Sequence, residues 1–269
     1  MKYIGIHGVP RSGTSWLAAL VDSSPSVLYK LQPLFSYALK GFLNHESSRE
    51  QIEEFFQKLQ FTKDDFLDQV VQKRDGKYPI FKKNYENDAI VYKEARYHHI
   101  LENMLFQFPE VKVVGIVRNP LSVLSSWRFA PKEFRVDLGW DFDKEWFYAE
   151  KKNQGKPEEY YGYAKWKEVA IDFVSFKEKF PENFFLVRYK DLVENTLNQT
   201  EEIFNFLSIK IEKQTYDFIS QSINTANTDP YTVFRKEQRD DKWKDTLDQA
   251  IIDYIIKDCE NERLDFFIE

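Results

Sequence analysis

The stretch Gly8-Val9-Pro10-Arg11-Ser12-Gly13-Thr14-Ser15, which follows the apolar run YIGIHG at residues 3–8, decides how the chain is read. A short buried strand that ends in a glycine loop and passes into a helix is the opening of a βα unit. Glycines let successive backbone N–H groups close around an anion, and the following helix points its positive end at the same place. The spacing is that of a phosphate loop, G-x-x-x-x-G-K-[ST], with one departure: Thr14 stands where the lysine of a nucleoside-triphosphate loop belongs. That lysine reaches the β- and γ-phosphates, so its absence counts against an ATPase or a kinase. The cation of this loop is Arg11, which suits a shorter anion. A turn whose glycines serve geometry alone is the other reading of the segment.

Outward from the loop, the helix Thr14–Asp22 is expected to stop at Ser23, Ser24 and Pro25. Residues 33–73 carry helical apolar spacing in QIEEFFQKLQF and DDFLDQVV, with Thr62 as the N-cap of the second segment. Further strands are expected at 89–93 (AIVYK), 111–117 (VKVVGIV) and 184–187 (FFLV). Helices are expected at His98–Phe108, from Pro120 onward, at 160–180, at 190–207 and over most of 243–258. The run 111–117 is apolar on both faces, as a central parallel strand should be. Residues 131–160 are charged and aromatic without a period, which suits a long excursion over the site. Strands alternating with helices give one α/β domain over 1–269, with a mainly parallel central sheet flanked by helices, arranged like the P-loop nucleotide kinases.

Bulk properties bound the partners. With 42% hydrophobic residues in 269, the chain has material for a substantial core. A net charge of −6 disfavours nucleic acid, whose binding needs cations over a wide surface. Cys259 is the single cysteine, so no internal disulfide forms, which fits a reducing compartment. The apolar run at residues 3–8 is too short for a signal sequence, and no segment approaches the ~20 apolar residues of a membrane span. A cytoplasmic location is the expectation. The four histidines (His7, His45, His98, His99) show no metal-ligand spacing with the lone cysteine, so no metal is expected.

Four segments, in order along the chain, resemble the sulfotransferases that use 3′-phosphoadenosine 5′-phosphosulfate (PAPS). The stretch Val9-Pro10-Arg11-Ser12-Gly13-Thr14-Ser15-Trp16-Leu17 is similar to their 5′-phosphosulfate loop. The likeness implies that Arg11 meets the leaving phosphate oxygen, that Ser12, Gly13, Thr14 and Ser15 hold the 5′-phosphate, and that Trp16 packs on adenine. Val114-Gly115-Ile116-Val117-Arg118-Asn119-Pro120, followed by Ser126, is similar to their 3′-phosphate segment, with Arg118 and Ser126 as the contacts. Tyr189 in VRYKDL looks like their adenine-contacting tyrosine. Phe234-Arg235-Lys236-Glu237, with Trp243 following, resembles their C-terminal Arg-Lys-Gly segment, which closes on the 3′-phosphate; here Glu237 replaces the glycine. The implied reaction moves a sulfuryl group from PAPS to a hydroxyl or amine of a small-molecule or glycan acceptor and releases PAP.

Sulfuryl transfer, like phosphoryl transfer, asks the protein for positioning and preorganised charge. Arg11 would stabilise charge on the leaving group, and being always protonated it acts as a charge and not as an acid. Lys93 fits the lysine that the resemblance puts beside the sulfuryl group. Cytosolic relatives place a histidine base two residues after that lysine, where this chain has Ala95. Glu94 is the nearest carboxylate and the first choice for a base, with an ion pair to Arg96 or Lys93 as the alternative. His98 comes next, with a capping or surface role as its alternative. Residues 30–60 and 131–165 are expected to shape the acceptor pocket. A kinase with an altered phosphate loop and a nucleotide-binding protein without turnover are the competing readings.

Overall fold

A computed structural model describes residues 1–225, 231–234 and 240–268. Five strands form one sheet: β1 (Lys2–His7), β2 (Val27–Leu31), β3 (Ala89–Glu94), β4 (Val111–Val117) and β5 (Phe184–Arg188). Their order is β2-β3-β1-β4-β5, and every pairing is parallel. The expected parallel α/β sheet is therefore present. Parallel pairing requires a crossover between successive strands, so both faces are covered by helices.

Alternation along the strands assigns side chains to the two faces. Ile4 and Ile6 of β1, Val91 of β3 and Val114 and Ile116 of β4 pack with Leu17 and Leu20 of the first helix. Tyr92 of β3 and Val111 and Val113 of β4 face the other way, into a cluster that holds Phe55, Trp166 and Phe173. Gly115 lies on this second face, and a Cβ there would stand 2.4 Å from the Phe184 ring and 2.7 Å from that of Phe173. The glycine is what lets those two rings lie flat on the middle of the sheet.

Several expectations are corrected. β2 is an edge strand that the sequence reading does not include, and it carries Lys30. Lys30 is buried, donating to the Thr62 carbonyl at 2.6 Å and to the Asp68 carboxylate at 2.7 Å. In 33–73, helix is confined to Arg49–Phe61 and Val70–Arg74. The first of these opens on a capping box between Ser48 and Gln51. Thr62 closes that helix rather than opening the next, because its Oγ1 donates back to the Lys58 carbonyl at 2.7 Å. Asp64 accepts the N–H groups of Phe66 and Leu67 in a turn, and the helix Val70–Arg74 opens at Gln69 without a side-chain cap. The excursion 131–160 contains two short helices, Phe142–Glu145 and Glu150–Asn153. The helix expected at 190–207 breaks at Asn195 into Tyr189–Glu194 and Thr196–Leu207, and a further helix covers Lys213–Asn224.

The crowding at Gly115 generates a test. Gly115→Val is expected to lower the unfolding free energy by about 2 kcal/mol or more in a urea titration, the usual cost of overpacking a core. An unchanged midpoint and slope would show that the Phe173 and Phe184 rings do not fix the centre of the sheet.

Candidate active site

Because the strands are parallel, their carboxyl ends share one edge, and the segments that leave them converge there. A cavity of about 370 Å³ opens at this edge. Its wall includes Arg11 after β1, Gln32 after β2, Lys93 and Ala95 at the end of β3, Arg118 after β4 and Tyr189 after β5.

The loop between β1 and the first helix is shaped by close approach. A Cβ on Gly8 would sit 2.6 Å from the Ile116 carbonyl oxygen, so the loop lies directly on β4. Gly13 has φ +90 and abuts the Tyr189 ring, which a Cβ would meet at 2.5 Å. Both its backbone angle and its neighbour require glycine. Arg11 also adopts a left-handed backbone, φ 73, at a cost of order ~1 kcal/mol. A left-handed residue directly ahead of a right-handed helix, as at Gly13 and Thr14, is the local geometry of an anion-binding nest. The Ser12 Oγ is buried and has no hydrogen-bond partner, an orphan donor inside the loop. Thr14 and Ser15 open the helix Thr14–Asp22, where first-turn N–H groups have no intrahelical acceptor.

Two distant segments meet at this loop. Arg11 Nε donates to Ser126 Oγ at 3.0 Å, across 115 residues of sequence. Arg118 donates from one terminal nitrogen to the Arg11 carbonyl at 2.9 Å, while its Nε donates to an Asp240 carboxylate oxygen at 2.8 Å. The Arg118 guanidinium lies 4.7 Å from the centre of the Tyr189 ring. Trp16 stands 6.5 Å from Tyr189, edge to face, and its indole N–H donates to Ser222. Arg11, Ser126, Arg118, Trp16 and Tyr189 therefore lie around one space. Phe234 packs against Phe218 in the core, off the cavity wall, and Arg235 and Lys236 fall outside the described residues.

Lys93 and Glu94 are neighbours on β3 and so face opposite sides of the sheet. Lys93 reaches the cavity; burial pulls its pKa down to about 8, although the Glu94 and Glu133 charges oppose this. Glu94 is fully buried on the far side, where Oε1 accepts the Leu34 N–H at 2.9 Å and Oε2 has no partner. Burial pushes its carboxyl up to about 8 against the lowering effect of that N–H and of Lys93. Arg96 does not pair with Glu94: it binds Glu159 at 3.1 Å and covers the Phe35 ring at 3.8 Å. His98 is buried against Tyr160 and Phe173, with Nδ1 3.2 Å from Nδ1 of His7, and it does not line the cavity. Burial, then the neighbouring His7 charge, holds its pKa far below the ordinary value.

Sequence reasoning passed over Lys132, Glu133 and Lys152, which also line the cavity. They belong to the 131–160 excursion, whose role was visible but whose inward residues were not, for want of a repeating pattern. Among the described residues no group of three or more His, Cys, Asp or Glu could hold a metal.

An all-parallel sheet with a glycine loop and a cation-lined cavity at its carboxyl edge is the P-loop-like α/β class. The sulfotransferase domain family matches residues 2–266, and the chain belongs to that family. The enzyme class expected from the sequence, a sulfotransferase, is met by that membership. In fold it is similar to mouse sulfotransferase SULT7A1 complexed with PAP: TM-score 0.55, 15% identity, 99% of this chain and 87% of that one. It is also similar to retinol dehydratase in a complex with retinol and PAP: TM-score 0.55, 16% identity, 97% of this chain and 81% of that one. Carbohydrate sulfotransferase 1 of Danio rerio is 30% identical over 83 residues, 29% of this chain and 20% of that protein's length.

The Glu94 carboxyl ionises near 4.5 in an unfolded chain and near 8 in the folded one. Between these values the folded state binds more protons, so this group's contribution to stability falls as pH rises through the window. Glu94→Gln keeps an acceptor for the Leu34 N–H and carries no charge. Across about pH 5 to pH 8, the variant is expected to lose less stability to urea than the parent. Identical losses would exclude Glu94 as the titrating group.

Proposed function

We propose that the chain transfers the sulfuryl group of PAPS to a hydroxyl or amine of a small-molecule or glycan acceptor and releases PAP, working as one domain over 1–269. The observation that carries this reading is the hydrogen-bonded junction of two cationic segments. Arg118, after β4, donates to the backbone of the loop after β1, and Arg11 of that loop donates to Ser126, after β4. A single nucleotide with an anion at each end of its ribose matches such a joined pair. The orphan Ser12 Oγ, the left-handed turn at Gly13 and the contact of Gly8 with β4 fit a 5′-phosphate seated in the loop.

PAPS supplies an activated sulfuryl group whose departure leaves charge on the 5′-phosphate. Arg11 sits beside the loop as a fixed cation for that charge. Lys93 brings a second cation from β3 into the same cavity, still protonated near neutrality with its pKa near 8. Trp16 and Tyr189 offer faces for adenine. On the β2–β3 side, Phe35, Arg96 and Tyr161 make a wall for the acceptor. The carbohydrate sulfotransferase match supports a glycan among the acceptors. No helix among the described residues is long and apolar enough to cross a membrane. The single, buried Cys259 supports a cytoplasmic setting.

PAP is expected to raise the melting temperature well above any effect of ATP with Mg²⁺, because a ligand of the folded state stabilises it by mass action. The reverse preference would overturn the reading in favour of a kinase. Arg118→Ala should weaken PAP by about tenfold or more and adenosine 5′-phosphosulfate much less. Arg11→Ala should leave PAP binding largely intact while removing most turnover.

Asp240 occupies Arg118 where a 3′-phosphate would bind. Asp240→Asn should therefore tighten PAP by about fivefold, the equivalent of about 1 kcal/mol. Calorimetric titration giving equal or weaker affinity would show that Asp240 does not compete with the nucleotide.

A further inference from the structure

Transfer to a hydroxyl needs a group that takes its proton, and neither Glu94 nor His98 reaches the cavity. Among the described residues, Glu133 is the one carboxylate on the cavity wall, and no histidine lines it. Its Oε2 is buried and has no hydrogen-bond partner, and its Oε1 lies 3.8 Å from a terminal nitrogen of Arg11. An acceptor-only oxygen left unpaired inside a site is costly, so a native structure that keeps one calls for an explanation.

The chain holds this side chain in place from both sides. After the helix Pro120–Arg128, the N–H groups of Glu133 and Phe134 both donate to the Ala130 carbonyl at 2.8 Å. Ala130 is fully buried, and Phe134 is driven into the core against Trp127 at 5.1 Å and Phe142 at 5.7 Å. Glu133 thus stands half-buried on a tight, anchored turn, beside Lys132 on the cavity wall. The groups that face it are Arg11 from the loop after β1, Lys93 from β3, and Lys152 and Tyr161 from the excursion. Its charge is felt at Lys93, the residue placed beside the sulfuryl group in the reading above.

We propose that Glu133 is the general base of the transfer. The step rests on the sulfotransferase reading and runs as follows. The acceptor O–H gives its proton to the Glu133 carboxylate while the acceptor oxygen forms a bond to sulfur. The bond from sulfur to the bridging phosphate oxygen breaks, its electron pair stays on the phosphate next to Arg11, and PAP leaves. Glu133 then returns the proton to water. A base carried on this turn stands beside Arg11 and Lys93 and does the work that Ala95 cannot.

The test uses the full chain with labelled PAPS and a pooled panel of phenols and hexosamines, together with calorimetric titration of PAP. Glu133→Gln should cut kcat/KM by about 100-fold or more, the usual worth of a general base. It should also abolish the acid limb of the pH–rate profile and bind PAP as tightly as the parent or more tightly. Glu133→Asp should recover part of the rate and the acid limb. A Gln variant within about threefold of the parent rate, or one that keeps the acid limb, overturns the assignment. Loss of PAP binding in that variant also overturns it, because Glu133 would then be shaping the donor pocket. If the parent binds no PAP, the sulfotransferase reading fails first. If the parent binds PAP but transfers to nothing in the panel or to water, the base assignment falls while the nucleotide site stands.

Discussion

The hydrogen bond from Arg118 to the backbone carbonyl of Arg11 is the constraint on which the site depends. It ties the loop after β1 to the end of β4, and the return bond from Arg11 to Ser126 closes the tie. Two arginines with side chains about nine-tenths buried can lie so close only if each is partnered, since an unpaired buried charge costs several kcal/mol. Asp240 and the Arg11 carbonyl serve Arg118, while Ser126 and Glu133 serve Arg11. The carboxylates that balance these cations reach them across more than a hundred residues of sequence, which is why the site is assembled by tertiary structure rather than by any one segment.

The same arrangement sets the charge balance of the cavity. A protein with a net charge of −6 concentrates Arg11, Lys93, Arg96, Arg118 and Lys152 on one cavity wall. Burial makes each cation more costly and also strengthens its field. Lys93 shows the balance: desolvation brings its pKa to about 8, near enough to neutrality that a bound anion would secure the proton. Glu94, directly behind it, keeps its own proton to about 8 and so adds little negative charge at neutral pH. The sheet therefore presents a cation to the cavity and hides a carboxyl that is neutral at that pH.

Much of this was legible in the chain. GVPRSG after an apolar strand, VKVVGIV before Arg118, and Tyr189 at the end of FFLV each carry a local pattern that geometry then obeys. β2 was not legible, because an edge strand pairs on one side and tolerates Lys30, whose burial depends on Asp68 and Thr62 from a distant turn. The side on which Glu94 points was readable in principle. Adjacent strand residues face opposite ways, so placing Lys93 in the cavity already placed Glu94 outside it. The excursion 131–160 has no period to read, and its inward residues emerge only from the packing of Phe134, Phe142 and Tyr161 around Trp127.

The position of Glu133 follows from what β3 can offer. A strand end delivers alternate residues to the cavity, here Lys93 and Ala95. A base on β3 must therefore occupy the place of Ala95, and alanine cannot take a proton. The next segment that enters the cavity with a carboxylate is the turn after Ser126, and Ser126 is already bonded to Arg11. Ser126, which holds Arg11, and Glu133, the base proposed above, thus share one helix-and-turn unit. Arg11 touches both Ser126 and Glu133, so on the proposal above the donor site and the base share one contact residue.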